Sequence, residues 1–119
     1  MPSNRHLEAI LKREITSAFK SMFGKGPDKT TISIFDNVIF CKIEGVLTAL
    51  EQNLIQTEEG INLVKQIREQ IELEKRPEYI STIETIMDDK VESIKYSIVD
   101  ERQAVYLFIV MKNNIMKQI

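Results

Sequence analysis

The segment Ala104–Met111 (AVYLFIVM) is apolar at every position. Its length is far short of the roughly 20 residues a membrane-spanning helix needs, and its Val, Ile, Tyr and Phe residues favour extended backbone. A strand apolar on both sides has to be covered on both sides. The segment is therefore expected to be a central strand, or one whose second face meets another subunit. The rest of the chain has to supply its neighbours and its cover.

The immediate neighbour is Val91–Val99, which alternates through Ile94, Tyr96 and Ile98, with Asp100-Glu101-Arg102-Gln103 as the turn between the two strands. A second hairpin is expected earlier. Thr30–Phe35 and Val38–Ile43 flank Asp36-Asn37, a pair that suits a type I′ turn because both residues tolerate positive φ. That turn sets Ile34 opposite Ile39, Ile32 opposite Cys41 and Thr30 opposite Ile43, leaving Thr31, Ser33, Phe40 and Lys42 on the other face.

Three helical patterns complete the chain. Leu7, Ile10, Leu11, Ile15, Ala18, Phe19 and Met22 recur at three- and four-residue spacing and predict a helix over about 4–23. Ser3 or Asn4 can cap it, and Gly24 followed by Gly26-Pro27 can end it. Thr48-Ala49-Leu50-Glu51 reads as a capping box opening a short helix to about Ile55. Thr57-Glu58-Glu59 opens a longer helix whose apolar face is Ile61, Val64, Ile67 and Ile71. At Pro77 the pattern breaks and resumes with Tyr79, Ile80, Ile83, Ile86 and Met87, rotated by about a third of a turn. Pro removes a ladder hydrogen bond and crowds the preceding turn, so a kink or a break is expected there.

These elements fit one α+β domain over residues 1–119, in the order α-β-β-α-α-β-β. Helices pack on an antiparallel four-stranded sheet, with a structured core of about 4–111 and a tail over 112–119. At 119 residues a real core can form without disulfides or metals. The single Cys rules out an internal disulfide and suits a reducing, cytoplasmic setting. The N-terminus lacks the apolar region of a signal peptide. Net charge is −2, which counts against a nucleic-acid binder. The charge is uneven: +3 over residues 1–30 and −5 over the remainder. That asymmetry points to self-association or to an anionic surface partner.

No residue pattern asks for catalysis, a cofactor or a metal. Gly24-Lys25-Gly26-Pro27 lacks the spacing and the strand-to-helix order of a phosphate loop and reads as a helix stop. Cys41 falls on the core face with Ile39 and Ile43, where a thiol behaves as a small hydrophobe. His6 has no companion at metal-ligand spacing, and Asp88, Asp89 and Glu92 read as a solvated helix end. Glu58 and Glu59 belong to a helix start, and Glu51 to its capping box. The candidate interaction surface comprises a basic arc on the first helix (Arg5, Lys12, Arg13, Lys20) and the sheet residues Phe40, Lys42, Tyr106 and Phe108. The basic arc could meet an anionic membrane surface. The sheet residues could instead line a small-ligand pocket in a sensor domain.

Phe23-Gly24-Lys25-Gly26-Pro27, the Ile/Val hairpin, Glu44-Gly45-Val46-Leu47-Thr48-Ala49-Leu50-Glu51, and Arg76-Pro77 before an Ile-rich helix together resemble the MpsC-like family, a bacterial domain common in Gram-positive bacteria. The resemblance runs from about Arg13 to Met111. Family members usually carry Thr-Gly where this chain has Asp88-Asp89. The family is named for a component of a membrane potential-generating system linked to cation or inorganic-carbon transport. The resemblance implies a non-enzymatic, soluble accessory subunit, cytoplasmic or peripheral to the inner face of the membrane, with a membrane transport protein as partner. It carries over no catalytic residues. A homodimer is the assembly expected from the apolar final strand.

Overall fold

A computed structural model describes residues 4–99 and 104–115. Helix α1 (Asn4–Phe23) is followed by β1 (Lys29–Phe35), β2 (Val38–Glu44), α2 (Ala49–Leu54), α3 (Glu58–Met87), β3 (Val91–Val99) and β4 (Ala104–Met111). The four strands form one antiparallel sheet in the order β1-β2-β4-β3. The expected α+β class and element order are both present. β4 lies in the interior of the sheet, as its composition requires.

The first hairpin has the expected register: Ile34 pairs with Ile39, Ile32 with Cys41 and Thr30 with Ile43. Its turn differs from expectation. Only Asp36 has positive φ, at 52°, whereas a type I′ turn needs both central residues there. Asn37 answers instead to a tertiary contact: its side-chain amide donates to the Met111 carbonyl at 3.0 Å, and the Met111 amide donates to the Asn37 carbonyl at 2.7 Å. In the second hairpin a register shift at Glu92 separates Val91 from Ser93. The expected turn at Asp100–Gln103, the Ser3 cap and the end of the tail lie outside the described residues.

Helices α1 and α3 cover one face of the sheet. Leu7, Leu11, Ile15 and Phe19 of α1 meet Ile32, Ile39, Cys41, Ile43, Leu107 and Ile109 in a single core. Each fully buried Ile or Leu there contributes about 1.5–3 kcal/mol. The tail expected at 112–119 is not loose at its start. The Ile115 side chain is buried, its amide donates to the Asp36 carbonyl at 2.8 Å, and the Asp89 carboxylate accepts both the backbone and side-chain amides of Asn113. Asp89 thus ties two chain segments together at the solvated end of α3.

Helix α3 decides one expectation and corrects another. Of a kink or a break at Pro77, the break does not occur: the helix is continuous for 30 residues. Its buried side chains are Val64, Arg68, Glu72, Tyr79, Ile83 and Met87, one continuous stripe at helical spacing. Arg68 and Glu72 are polar residues in core positions, and Ile67 is 45% exposed. The apparent rotation of the pattern at Pro77 came from reading Ile67 as core and Arg68 and Glu72 as surface. The proline lies on the exposed side of the helix, so the carbonyl it leaves unbonded, that of Leu73, sits where water can serve it. Pro77→Ala should therefore raise stability by about 1–3 kcal/mol, the ordinary cost of a helix-interior proline. Thermal unfolding of the two proteins checks this; an unchanged or lowered midpoint would show that the helix depends on its proline.

Candidate functional site

Two regions concentrate polar or aromatic side chains beyond what a plain core needs. One is buried and centred on Arg68. The other is the sheet face that no helix covers.

The Arg68 guanidinium is almost wholly buried. Its Nε and Nη2 donate to the two Glu51 carboxylate oxygens at 2.7 and 2.6 Å, and Nη2 also donates to the Val46 carbonyl at 2.7 Å. Its Cζ lies over the Phe23 ring, 4.2 Å from the centroid. Such a bidentate pair, with a cation over an aromatic face, is the arrangement in which a guanidinium tolerates burial. Glu51 serves twice. Its Oε1 also accepts from the Thr48 amide at 2.9 Å, while the Thr48 hydroxyl accepts from the Glu51 amide at 3.2 Å, completing the expected capping box.

One turn further along α3, the buried Glu72 carboxylate accepts from Arg76 Nε at 2.7 Å, from Arg76 Nη2 at 2.6 Å, and from the Tyr79 hydroxyl. Burial, followed by the bond to Glu72, pushes the Tyr79 hydroxyl well above its ordinary range, so it stays protonated and donating. Among the described residues, Arg68 Nη1 and the Tyr96 hydroxyl are buried without a hydrogen-bond partner. The sequence carried only a faint signal for this network: an Arg and a Glu at i and i+4, in register with Val64 before them and Ile83 after.

The groups singled out from sequence have structural partners. Cys41 is fully buried, and desolvation pushes its thiol up to about 12, far from the thiolate a nucleophile needs. Lys25 donates to the Gly45 and Gly26 carbonyls and approaches Asp28 at 3.4 Å, tying the loop after α1 to the loop after β2. Gly45 sits at φ +67°, and a Cβ there would lie 2.1 Å from the Asp28 carboxylate, so this junction requires glycine. Among the described residues, no group of three or more His, Cys, Asp and Glu side chains could hold a metal ion.

On the uncovered face, Phe40 pairs with Phe108 across β2 and β4, and Lys42 pairs with Tyr106. The Phe40 ring lies 4.9 Å from Phe108 and 5.9 Å from Tyr106. Phe108 is 39% exposed and Phe35, at the end of the same face, 54%. Lys42 is held by Glu44 at 3.3 Å, so the centre of the face carries no unpaired charge. Around this centre, Thr31 and Ser33 on β1, and Ser93, Lys95 and Ser97 on β3, are exposed. An aromatic centre within a polar rim is the ordinary anatomy of a protein–protein contact.

The structure does not bring the two parts of the expected interaction surface together. Arg5, Lys12, Arg13 and Lys20 are exposed on α1, in the helix layer on the opposite side of the sheet. Nor do Phe40, Lys42 and Tyr106 line a pocket. A cleft of about 260 Å³ lies elsewhere, between α1 and α3 over Ile15, Phe19, Met22, Tyr79, Ile83 and Leu107.

A two-layer domain with helices on one face of an antiparallel sheet and an aromatic opposite face defines a small α+β module. Its family model is that of the Na+-translocating membrane potential-generating system, MpsC, which matches residues 3–113. The chain belongs to the MpsC family. No curated protein and no solved structure matches it significantly. No helix among the described residues is long and apolar enough to cross a membrane.

Two outcomes test the Arg68 network. Arg68→Met should destabilise the fold by about 3–5 kcal/mol in denaturant unfolding, because it strands Glu51 and the Val46 carbonyl. Adding Glu51→Gln, which keeps the capping box, should restore part of that loss. If the double variant loses the full sum of the two single losses, the pairing is wrong. The second outcome concerns acid. Burial raises the Glu51 carboxyl, but bonds from Arg68 and Thr48 outweigh it and hold the group below its ordinary value of 4.5. A depressed folded-state value stabilises above the ordinary value and is lost as pH falls through the folded one. Glu51→Gln should therefore flatten the decline in stability below about pH 4.5. An acid limb as steep as that of the unsubstituted protein would remove Glu51 as its source.

Proposed function

We propose that this chain is a non-enzymatic accessory module that works by being bound: a partner of the Na+-translocating membrane potential-generating system for which its family is named, assembled as a homodimer through the uncovered sheet face. The observation that carries the reading is the one-sidedness of the sheet. β4 is apolar at every position, yet no layer of the described residues lies over its Tyr106 and Phe108 side. Strand spacing and rise make this face about 19 by 23 Å. Two such faces packed about 10 Å apart are the usual solution for an aromatic sheet surface. A two-fold axis through the face would set aromatic centre on aromatic centre and polar rim on polar rim.

The lack of a catalytic role is supported by where the reactive groups went. Glu51, Arg68, Lys25 and Asp89 each hold two or more parts of the fold, Glu72 and Arg76 are engaged with each other along α3, and burial keeps the thiol protonated. In this reading the module stays in the cytoplasm, at the inner face of the membrane, and its transport partner is an integral membrane protein. The competing sensor reading draws on the cleft between α1 and α3, which is slightly smaller than the usual range for small-molecule sites.

Light scattering on a sizing column tests the assembly. At micromolar concentration the protein should run at twice the chain mass, and Phe108→Lys at the single mass with unchanged circular dichroism. A monomeric unsubstituted protein would end the dimer. Affinity purification from native membranes tests the partnership: an integral transport protein should be recovered with the chain, and recovery of none would end the accessory role.

A further inference from the structure

The dimer leaves the outer face of α3 free, and that face has features the core does not explain. Leu63 and Ile67 are each 45% exposed and Leu73 59%, three of the large exposed apolar side chains of the molecule. They share one side of the helix. Glu59, Leu63, Ile67, Gln70 and Glu74 follow one another at spacings of four, four, three and four residues, with Gln66 and Leu73 beside them. All seven are exposed. The row is about 22 Å long at the helical rise, roughly four turns.

No lysine or arginine interrupts it. Stepping about 100° per residue places Lys65 and Lys75 well to the side of the row. Lys75 is in any case paired with Glu78 at 3.7 Å. Glu58, Glu59 and Glu69 are exposed and enter no ion pair among the described residues. The result is an apolar ridge edged with carboxylates and amides. An anionic lipid surface would be repelled by it. A second acidic α3 would be repelled likewise. A helix with an apolar stripe flanked by Lys and Arg is its complement in both shape and charge.

We propose that the outer face of α3 is a docking ridge for a basic amphipathic helix of the membrane partner. The proposal rests on the accessory reading above and names the partner's chemistry. Segments on the cytoplasmic side of membrane-spanning helices carry an excess of Lys and Arg, so a membrane protein that recruits this module has such a helix to offer. Leu63, Ile67 and Leu73 supply the contact, and Glu59, Glu69 and Glu74 set the sign of the partner. The ridge and the dimer face lie on opposite sides of the domain, so both can be occupied together.

The test uses two synthetic amphipathic peptides with the same leucine stripe, one carrying lysines on its polar face and the other glutamates. Binding is followed by fluorescence anisotropy, and its location by amide chemical shifts of the full chain. The lysine peptide should bind, more weakly as salt rises, with shifts centred on Leu63–Glu74. Leu63→Ser/Ile67→Ser/Leu73→Ser should weaken it about tenfold or more; Ile67→Ser alone serves as the milder variant if the triple one unfolds. Equal binding of the glutamate peptide would overturn the proposal, as would binding untouched by the serine variants, or shifts centred on the sheet face or the α1–α3 cleft. Loss of self-association in the serine variants would assign the ridge to a second copy, and loss of binding to anionic vesicles would assign it to lipid; either overturns it. The two readings fail separately. Peptide binding on the ridge with no membrane protein recovered from cells sinks the accessory role alone. A membrane protein recovered equally well by the serine variants sinks the ridge alone.

Discussion

The fold turns on a single buried cation. Arg68 reaches from the middle of α3 to the end of α1 through Phe23, to the chain leaving β2 through the Val46 carbonyl, and to the first turn of α2 through Glu51. Three stretches of chain distant in sequence meet at one guanidinium. Because the charge is buried, each contact is worth more than at the surface, and losing any one exposes the others to a steep desolvation cost. A leucine at this position could fill the space. It could not also hold a carbonyl, a helix cap and an aromatic ring in one relative orientation. The close approach of α2 to α3 adds to the constraint: a Cβ at Gly60 would sit 1.6 Å from the Leu54 carbonyl oxygen.

Much of this architecture could be read from the residues, because it rests on local rules. The strands Val91–Val99 and Ala104–Met111, the register of the first hairpin, the stop at Gly24 and the Thr48–Glu51 cap follow from alternation, turn length and capping chemistry within a few residues of each site. Most of the failures share one cause. Asn37, Arg68, Asp89 and Ile115 take their roles from partners far away in the chain. A buried Arg looks like a surface Arg until Glu51 is placed against it, and Asn37 has the credentials of a turn residue until Met111 claims its amide. At Pro77 the residues left a break open for the same reason: the helix around it is kept by packing on the sheet, not by its own propensity.

The candidate site divides along the same line. Phe40 and Phe108 could be placed on one face because strand alternation decides faces. That the face would lie open, opposite the α1 basic residues, depended on both long helices choosing the same side of the sheet. Sheet alternation also explains why β4 is apolar throughout: one side of it belongs to the core, and the other, with Tyr106 and Phe108, belongs to the surface that the described residues leave uncovered. Membership of the MpsC family gives that surface a context in a membrane-linked system without assigning its occupant.

Cys41 deserves a last consideration for what its position makes possible. It is the chain's single thiol, it lies on a strand inside the core, and burial holds it in the unreactive protonated form. Oxidants and alkylating reagents in solution can reach it only when the sheet and the helix layer part. The molecule thus contains a natural clock for its own opening: the pace at which Cys41 becomes labelled reports how often the core is exposed, with no foreign group added.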